Sequence, residues 1–471
     1  MKRNFVFNFL ILLILIVVPL TTIVNWIWVL VPIPVIITIL LLLRNLKYGL
    51  YFFALTYPIV SFIKRGLIIP GLALNEVLLL LVTVVFVFNI FIGKYRLRRN
   101  FLLVEFAIYF FCAAFLPLVV SIFKKELLDL NIILQYCAAI QYYLILVLFH
   151  NILEEKRDRK ILLYYLLAGS LIVSIIGIFQ WFDILGMRNI IDNLFTTQWR
   201  WEEYIASELD HFRKMRVTST LNNWNGCGAY LAVLVCVGFL LYIINRNLKF
   251  HLLLSGVIIL NIVCLILTFS FTSYIILIVI ASTSFFIMRK FKLIVYLLFI
   301  FVLLLIVMAP LFEQRIQEQF RGDSWVPHSL QYRLRLWDEQ MIPLIKENIV
   351  FGMGPDYYQL PNVADSQYIF LFLRGGIFLF IAFFILFFKM IFIALRNIKI
   401  ADDNFTKYSG ILVFSLLVGI FVGNFTEPYF RYAGVAELIW ILLAISYPIQ
   451  TVGNGRDRSL QKPDERKNEL I

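Results

Sequence analysis

The chain has 471 residues, of which 62% are hydrophobic and only 15% are charged, and its formal net charge is +13 at pH 7. Water-soluble domains typically have about 25% charged residues, so this composition excludes a water-soluble globular protein. The positive charge could indicate nucleic-acid binding, but the sequence contains no nucleic-acid-binding motif and we expect no such partner. Basic loops beside anionic membrane lipid explain the charge better.

Apolar runs of about 18 or more residues recur along the chain, and each is long enough to cross a bilayer core about 30 Å thick. The short alternating strands of an outer-membrane barrel do not occur. We therefore predict an all-α polytopic membrane protein with about 12–14 transmembrane helices. The predicted spans, of which the third and tenth are short, lie at 5–22, 24–43, 48–63, 74–93, 101–122, 131–150, 161–182, 226–245, 250–269, 272–288, 293–311, 366–388, 408–425 and 434–449.

Basic clusters predict the orientation, because cytoplasmic loops carry an excess of Lys and Arg. With the N-terminus inside, most short loops between the predicted spans that contain several cations fall on the cytoplasmic side. The clusters lie at 44–47, 94–99, 154–160, 245–249 and 289–292.

The same orientation divides the chain into two parts. Residues 1–449 are predicted to form a single transmembrane domain, with long outer loops at about 183–225 and 312–365. Residues 450–471 are predicted to form a basic cytoplasmic tail. Both termini are then inside.

The two outer loops contain arginines, although outer loops normally hold few cations. Loop 183–225 includes Arg216, and loop 312–365 includes Arg333 and Arg335. One interpretation is that long loops translocate regardless of charge and that their own Asp and Glu residues pair with these cations. The other is an anionic ligand, because the planar guanidinium group can bind two phosphate oxygens at once.

Three segments of the sequence resemble motifs of the O-antigen polymerase and ligase superfamily, which consists of polytopic glycosyltransferases. The first segment, "RVTSTLNNWNGCGAYLAVLV" (216–235), has the arrangement Arg, a short polar stretch, Asn-x-Asn and then small residues that open a helix. Arg216, Asn223 and Asn225 occupy the motif positions. The resemblance implies that the two asparagines contact substrate.

The second segment, "RLRLWDEQMIPLIKENIVFGMGP" (333–355), resembles the pattern Arg-x-x-x-Trp, an amphipathic helix and then Gly-x-Gly, beginning with Arg333 and Trp337. The third, "DSQYIFLFLRGGI" (365–377), resembles a helix that opens with His or Asp and has Gly-Ile about ten residues later. Ligases of this superfamily usually carry His where this chain has Asp365, whereas Asp is familiar there among the polymerases. The resemblance therefore favours a polymerase, with an O-antigen ligase acting on lipid A core as the alternative.

The resemblance implies a fold and a reaction. The fold is a membrane-embedded glycosyltransferase of the C class, and the reaction moves a glycan from an undecaprenyl-diphosphate carrier to a sugar hydroxyl at the outer face of the bacterial inner membrane. It requires no metal and no cofactor. The implied partners are the undecaprenyl-diphosphate-linked oligosaccharide, membrane lipid, a chain-length regulator and a flippase.

The predicted chemistry assigns roles to three residues. Negative charge develops on the leaving diphosphate, and the outward face has no carboxylate or histidine cluster at metal-ligand spacing, so arginines should neutralise it. Arg216 and Arg333 are the first candidates. Asp365 is the candidate general base for the acceptor hydroxyl, and its alternative is a helix N-cap, because Asp before an apolar run caps helices well.

Four other side chains are predicted to bind substrate. Arg335 lies two residues beyond Arg333, so on a helix the two point in different directions and should not reach one diphosphate. Arg374 lies nine residues into the span 366–388, about 13 Å deep, where a charge is expected to be functional. It could reach the diphosphate or pair with Glu437 of the last span. Tyr368 and Arg431 are expected at the outer mouth, although aromatic residues there also form interfacial belts.

A transporter or a lipid-linked-glycan flippase is the rival from another class. Transporters often show internal repeats and charges spread along a midplane pathway. The sequence shows no convincing repeat, and its unusual charges gather at one predicted face. This asymmetry favours an enzyme that works on one side of the membrane.

Overall fold

The computed structural model contains α-helices and no β-strand among the residues it describes, which confirms the prediction of an all-α polytopic membrane protein. The predicted span 5–22 and the basic tail at 450–471 lie outside those residues. The structure describes residues 32–60, 73–95, 97, 102–124, 133, 139–195, 216–221, 223–245, 247–307, 309–310, 313, 328–354, 365–432 and 434–447.

The first half of the described chain forms helices of 8–26 residues. A π-helical turn, Phe111–Phe115, joins the fourth and fifth of them into one continuous helix. The helices are α1 (Pro32–Arg44), α2 (Leu46–Val60), α3 (Leu74–Phe91), α4 (Leu103–Phe110), α5 (Leu116–Lys124), α6 (Ile140–Ile152), α7 (Lys156–Trp181) and α8 (Met187–Phe195).

The second half continues the same pattern. A second π-helical turn, Trp337–Met341, joins two short helices that carry the Arg-x-x-x-Trp pattern. The helices are α9 (Trp224–Ile244), α10 (Leu248–Leu267), α11 (Phe271–Ile287), α12 (Phe291–Val307), α13 (His328–Leu336), α14 (Ile342–Glu347), α15 (Gln367–Ile400), α16 (Asn404–Gly423) and α17 (Val435–Ser446).

Seven stretches of helix among the described residues are long and apolar enough to cross a membrane: α3, the joined α4 and α5, α7, α9, α10, α15 and α16. Five shorter apolar helices, of 10–17 residues, coincide with other predicted spans. Length therefore identifies fewer spans than the 12–14 predicted from apolar runs. That count covers the described residues alone, and parts of several predicted spans lie outside them.

The helix α9 lies at the centre of the bundle. In its most apolar window 83% of the residues are buried, and it packs against α10, α11, α7 and α16. Gly228 allows the close approach of α11, since a Cβ atom there would lie 2.5 Å from Oγ of Ser273. Small residues of this kind are typical where membrane helices touch. The central position of α9 brings its N-terminal residues into the protein interior.

The helix α15 is broken at Gly375 and Gly376, whose backbone angles are not helical. Gly376 has φ of 62°, in the region that favours glycine. The predicted span at 366–388 is therefore not one regular helix, and Arg374 is the last residue of its short first segment. The second segment runs on to Ile400, beyond the predicted end of the span at 388.

A turn after α14 fills this break with backbone hydrogen bonds. In a continuous helix the Ile377 amide would donate to the Leu373 carbonyl. Instead it donates to the Ile349 carbonyl at 2.8 Å, and the Leu373 carbonyl accepts from the Met353 amide at 2.7 Å. The turn thus joins the second and third sequence motifs into one structural unit.

Candidate active site

Arg333, Asp365 and Glu427 meet although they come from three separate parts of the chain. Arg333 belongs to α13, Asp365 directly precedes Ser366 at the start of α15, and Glu427 lies in the loop between α16 and α17. Nε of Arg333 is 3.0 Å from Oδ2 of Asp365, and Nη2 is 2.6 Å from Oε1 of Glu427. Two of the three residues are ones that the sequence predicted to be catalytic.

Glu427 is the buried centre of the cluster, with a side chain that is only 2% exposed. Its carboxylate also accepts hydrogen bonds from the Asn225 amide and the Tyr432 hydroxyl. Burial raises the pKa of Glu427 to about 7, although the guanidinium of Arg333 acts in the opposite direction. This carboxyl group can therefore change its charge near neutral pH.

Asp365 is the accessible carboxylate of the cluster, since 39% of its side chain is exposed. The N-cap position of α15 is occupied by Ser366, so the interpretation of Asp365 as the helix cap is wrong. The Asp365 carboxylate instead pairs with Arg333. It lies where an acceptor could reach it from outside the buried network.

Asn225 links the cluster to the next turn of the chain. Its side-chain oxygen accepts a hydrogen bond from Oγ of Ser270 at 2.7 Å, and Ser270 is the N-cap of α11. Asn223 is the N-cap of α9, and its side-chain oxygen accepts a hydrogen bond from the backbone amide of Asn225 at 2.8 Å. Of the two predicted asparagines, Asn225 therefore contacts the acidic cluster directly and Asn223 fixes the helix start beneath it.

Arg216 is buried beside this layer, with 7% of the residue exposed. Its Nε and Nη2 donate to the backbone carbonyls of Thr268 and Phe269, each at 3.0 Å, and its guanidinium lies 4.2 Å from the ring centre of Trp224. These contacts hold the turn between α10 and α11. Arg216 therefore touches the turn that contains Ser270.

Arg374 and Arg431 lie against one aromatic ring. The guanidinium carbon of Arg431 is 3.9 Å from the ring centre of Phe370, and that of Arg374 is 5.6 Å from it. Phe370 belongs to the short first segment of α15, which begins beside Asp365. The break after Arg374 and the turn at Arg431 thus bring two cations to the same segment.

Two predicted substrate-binding residues point away from the cluster. Arg335 is 75% exposed and pairs with Glu339 at 2.8 Å, which confirms that it faces a different direction from Arg333. The Tyr368 hydroxyl donates to the Phe421 carbonyl at 2.8 Å. Both side chains make their observed contacts with neighbouring helix residues.

Sequence reasoning missed Glu427, Tyr432, Ser270 and Gln367. Glu427 carried no local signal, because an acid in a loop between two apolar helices is ordinarily exposed to water. Gln367 is completely buried, and its side-chain amide makes no hydrogen bond with the described residues. A buried amide without a partner is unusual, but only the folded structure reveals it.

Among the described residues, no group of three or more His, Cys, Asp or Glu side chains could hold a metal ion. The site presents the exposed carboxylate of Asp365. Arg333 holds this carboxylate, and the buried Glu427 holds Arg333. Such a carboxylate can accept a proton, and nearby guanidinium groups can stabilise developing negative charge.

Comparison with known families gives one assignment. Residues 256–384 match the family model described as O-Antigen ligase. The matched part runs from α10 into α15 and includes Arg333, Asp365 and the break in α15, whereas Glu427 lies outside it. No curated protein matches the chain.

Proposed function

We propose that the chain is a polysaccharide polymerase of the O-antigen polymerase and ligase superfamily, and the match of residues 256–384 to the O-Antigen ligase family supports this proposal. It transfers a glycan from an undecaprenyl-diphosphate-linked donor to a sugar hydroxyl of another lipid-linked repeat unit. The site faces outward from the bacterial inner membrane. The observation that carries the proposal is the ion pair between Arg333 and the exposed carboxylate of Asp365.

Asp365 acts as the general base. The acceptor hydroxyl oxygen attacks the anomeric carbon of the donor while the Asp365 carboxylate takes its proton. The bond between the anomeric carbon and the diphosphate oxygen breaks, and the leaving diphosphate keeps the electron pair. A positioned base of this kind contributes about 10²–10⁴-fold to a rate.

Arg333 positions this base. Its Nε holds Oδ2 of Asp365, and its Nη2 is fixed by Glu427, which is anchored in turn by Asn225 and Tyr432. The guanidinium fork fixes the direction of the carboxylate as well as its distance. Among the contacts of the described residues, Nη1 is the guanidinium nitrogen that remains available for a substrate oxygen.

Arg374 and Arg431 bind the diphosphate. Arg374 ends the short helical segment that begins beside Asp365, Arg431 lies in the loop that contains Glu427, and both contact Phe370. Because the charge of Arg333 is balanced by two carboxylates, these two arginines supply the positive charge that a leaving diphosphate needs. Arg216 acts indirectly. It holds the turn that contains Ser270, and Ser270 donates a hydrogen bond to Asn225.

An O-antigen ligase is the second candidate, and the matching family, O-Antigen ligase, favours it. Asp365 favours the polymerase, since the resembling ligases carry His at this position. The rival from another class, a lipid-linked-glycan flippase, gains no support from the family match.

Reconstitution tests the proposal. Purified protein in liposomes is given a lipid-diphosphate-linked repeat unit, with and without lipid A core as a second acceptor. A ladder of products from the repeat unit alone supports the polymerase. A single transfer that requires lipid A core supports the ligase, and lipid movement without any product contradicts both.

A further inference from the structure

Three consecutive apolar residues are exposed at the turn after α14. Ile349 is 49% exposed, Val350 44% and Phe351 47%. Runs of three or more exposed apolar residues are unfavourable in water and usually mark a contact surface. This is the same turn that fills the break in α15.

The turn continues an exposed apolar stripe on α15. The ring of Phe351 stacks on that of Phe378, with centres 5.7 Å apart and planes inclined by 29°. Phe378 is the first residue of a stripe in which exposed apolar side chains recur every three or four residues along one helix face. Its members are Phe378, Ile381, Ile385, Phe388 and Phe392.

Lipid covers such a stripe on the outside of a membrane protein. The part of α15 after the break has 24 residues, from Ile377 to Ile400. At 1.5 Å per residue this is about 36 Å, enough to cross the hydrocarbon core. Because Phe351 extends the stripe at its first turn, the same lipid should cover the turn.

The backbone of the turn also suits a bilayer. Non-helical backbone is tolerated at membrane depth only where its polar groups are satisfied within the protein. The Ile349 carbonyl accepts from the Ile377 amide, and the Met353 amide donates to the Leu373 carbonyl. The Gly352 amide donates to the Asn348 carbonyl at 2.8 Å.

We infer that the turn Ile349–Phe351 is immersed in the hydrocarbon of the bilayer. It packs against the acyl chains of the leaflet in which the second segment of α15 begins. The preceding segment presents an exposed ion pair between Arg335 and Glu339, which needs water. The turn therefore anchors the α13–α14 segment, and with it Arg333, at the membrane surface.

Site-directed fluorescence quenching tests this inference. The five native cysteines are replaced by alanine, and an environment-sensitive dye is attached to the full-length protein in liposomes at Phe351→Cys or Val350→Cys. Phe378→Cys provides the lipid-facing control, and Glu339→Cys provides the water-facing control. Phospholipids with brominated acyl chains and aqueous iodide are the two quenchers.

Labels at 350 and 351 should be quenched by the brominated chains to the same degree as the label at 378 and should resist iodide. Iodide quenching at 350 or 351 as strong as at 339 overturns the inference, whatever the brominated lipid does. If Phe351→Cys does not fold, Val350→Cys alone decides. The result is independent of catalysis, because no substrate is present.

Discussion

Nη2 of Arg333 lies 2.6 Å from Oε1 of Glu427, although the two residues are 94 positions apart in the chain. The second nitrogen of the same fork holds Asp365. The exposed carboxylate of the site is therefore fixed to the protein interior through one guanidinium group. Its position depends on a buried acid that the family match does not include.

Glu427 should be needed for the shape of the site more than for its charge. In Glu427→Ala, the donors of Arg333, Asn225 and Tyr432 lose their acceptor, and each unsatisfied buried group costs about 1–3 kcal/mol. We expect a clear loss of thermal stability and a fall of roughly 10²-fold in transfer rate, because Arg333 no longer holds Asp365 in place. Glu427→Gln keeps an acceptor oxygen and should retain much more activity than the alanine variant.

The matched control for Glu427→Ala is Glu339→Ala. It removes the acid that pairs with Arg335, and the side chain of this acid is 53% exposed. Exposed pairs contribute about 0–1 kcal/mol, so this variant should resemble the wild type. Equal stability and activity in Glu427→Ala and Glu339→Ala would contradict the role given to Glu427.

The pH dependence of stability follows from the same residue. Burial raises the pKa of Glu427 to about 7 in the folded protein, above its ordinary value of 4.5. The folded state therefore binds an extra proton between these values, and stability falls as the pH rises from 4.5 through 7. The wild-type melting temperature should decrease over this range relative to that of Glu427→Gln, which cannot titrate. If the melting temperatures of the two proteins changed equally with pH, Glu427 would not titrate in this range.

Asp365→Asn separates the base from a purely structural residue. The amide can accept a hydrogen bond from Arg333 but cannot take a proton, so turnover should fall by about 10²–10⁴-fold while the fold is kept. Asp365→His should recover part of the activity, because a neutral imidazole accepts a proton near pH 7. Asp338→Asn, which changes an exposed aspartate of the π-helical turn Trp337–Met341, is the control and should be fully active. An active Asp365→Asn variant would remove the general base from the mechanism.

The sequence predicted the membrane class, most helix positions and Arg333 and Asp365 as candidates for one site, but not the ion pair between them. Apolar runs determine the helices directly, since each must span lipid or be buried. The resemblance to a known family supplied the two residues as candidates, because its motifs carry information that spacing alone does not. The contrast between Arg333 and Arg335 followed from helix geometry alone.

The break in α15 and the role of Glu427 could not be predicted from the sequence, and the reasons are physical. Gly-Gly within an apolar run is compatible with a continuous membrane helix, and only the turn at 349–353 makes the break favourable by supplying new hydrogen bonds. Glu427 is brought to Arg333 by the packing of α16 and α17, a contact between distant parts of the chain that no local pattern encodes.

The fit of the turn against α15 should be intolerant of a single methyl group. A Cβ atom on Gly352 would lie 2.5 Å from the Gly375 amide nitrogen, and φ at Gly352 is 72°. Gly93→Ala is the matched control, because φ there is 73° and no atom lies within 4 Å of the added carbon. Gly93→Ala should lose about 1–2 kcal/mol from its left-handed backbone alone. Gly352→Ala should lose distinctly more stability and most of its activity, and equal melting temperatures would contradict the tight fit.

The central claim is that the Arg333–Asp365 pair forms the active site, and the most direct measurement is the initial rate of glycan transfer by Arg333→Ala and Arg335→Ala. Both variants remove one arginine from α13, and both are reconstituted at equal amounts of inserted protein with the lipid-diphosphate-linked repeat unit. We expect Arg333→Ala to lose at least about 10²-fold in rate, because its carboxylate partner is no longer held. Arg335→Ala should stay within about two-fold of the wild type, since its exposed pair with Glu339 contributes little. Full activity in Arg333→Ala, or equal losses in the two variants, would contradict the account.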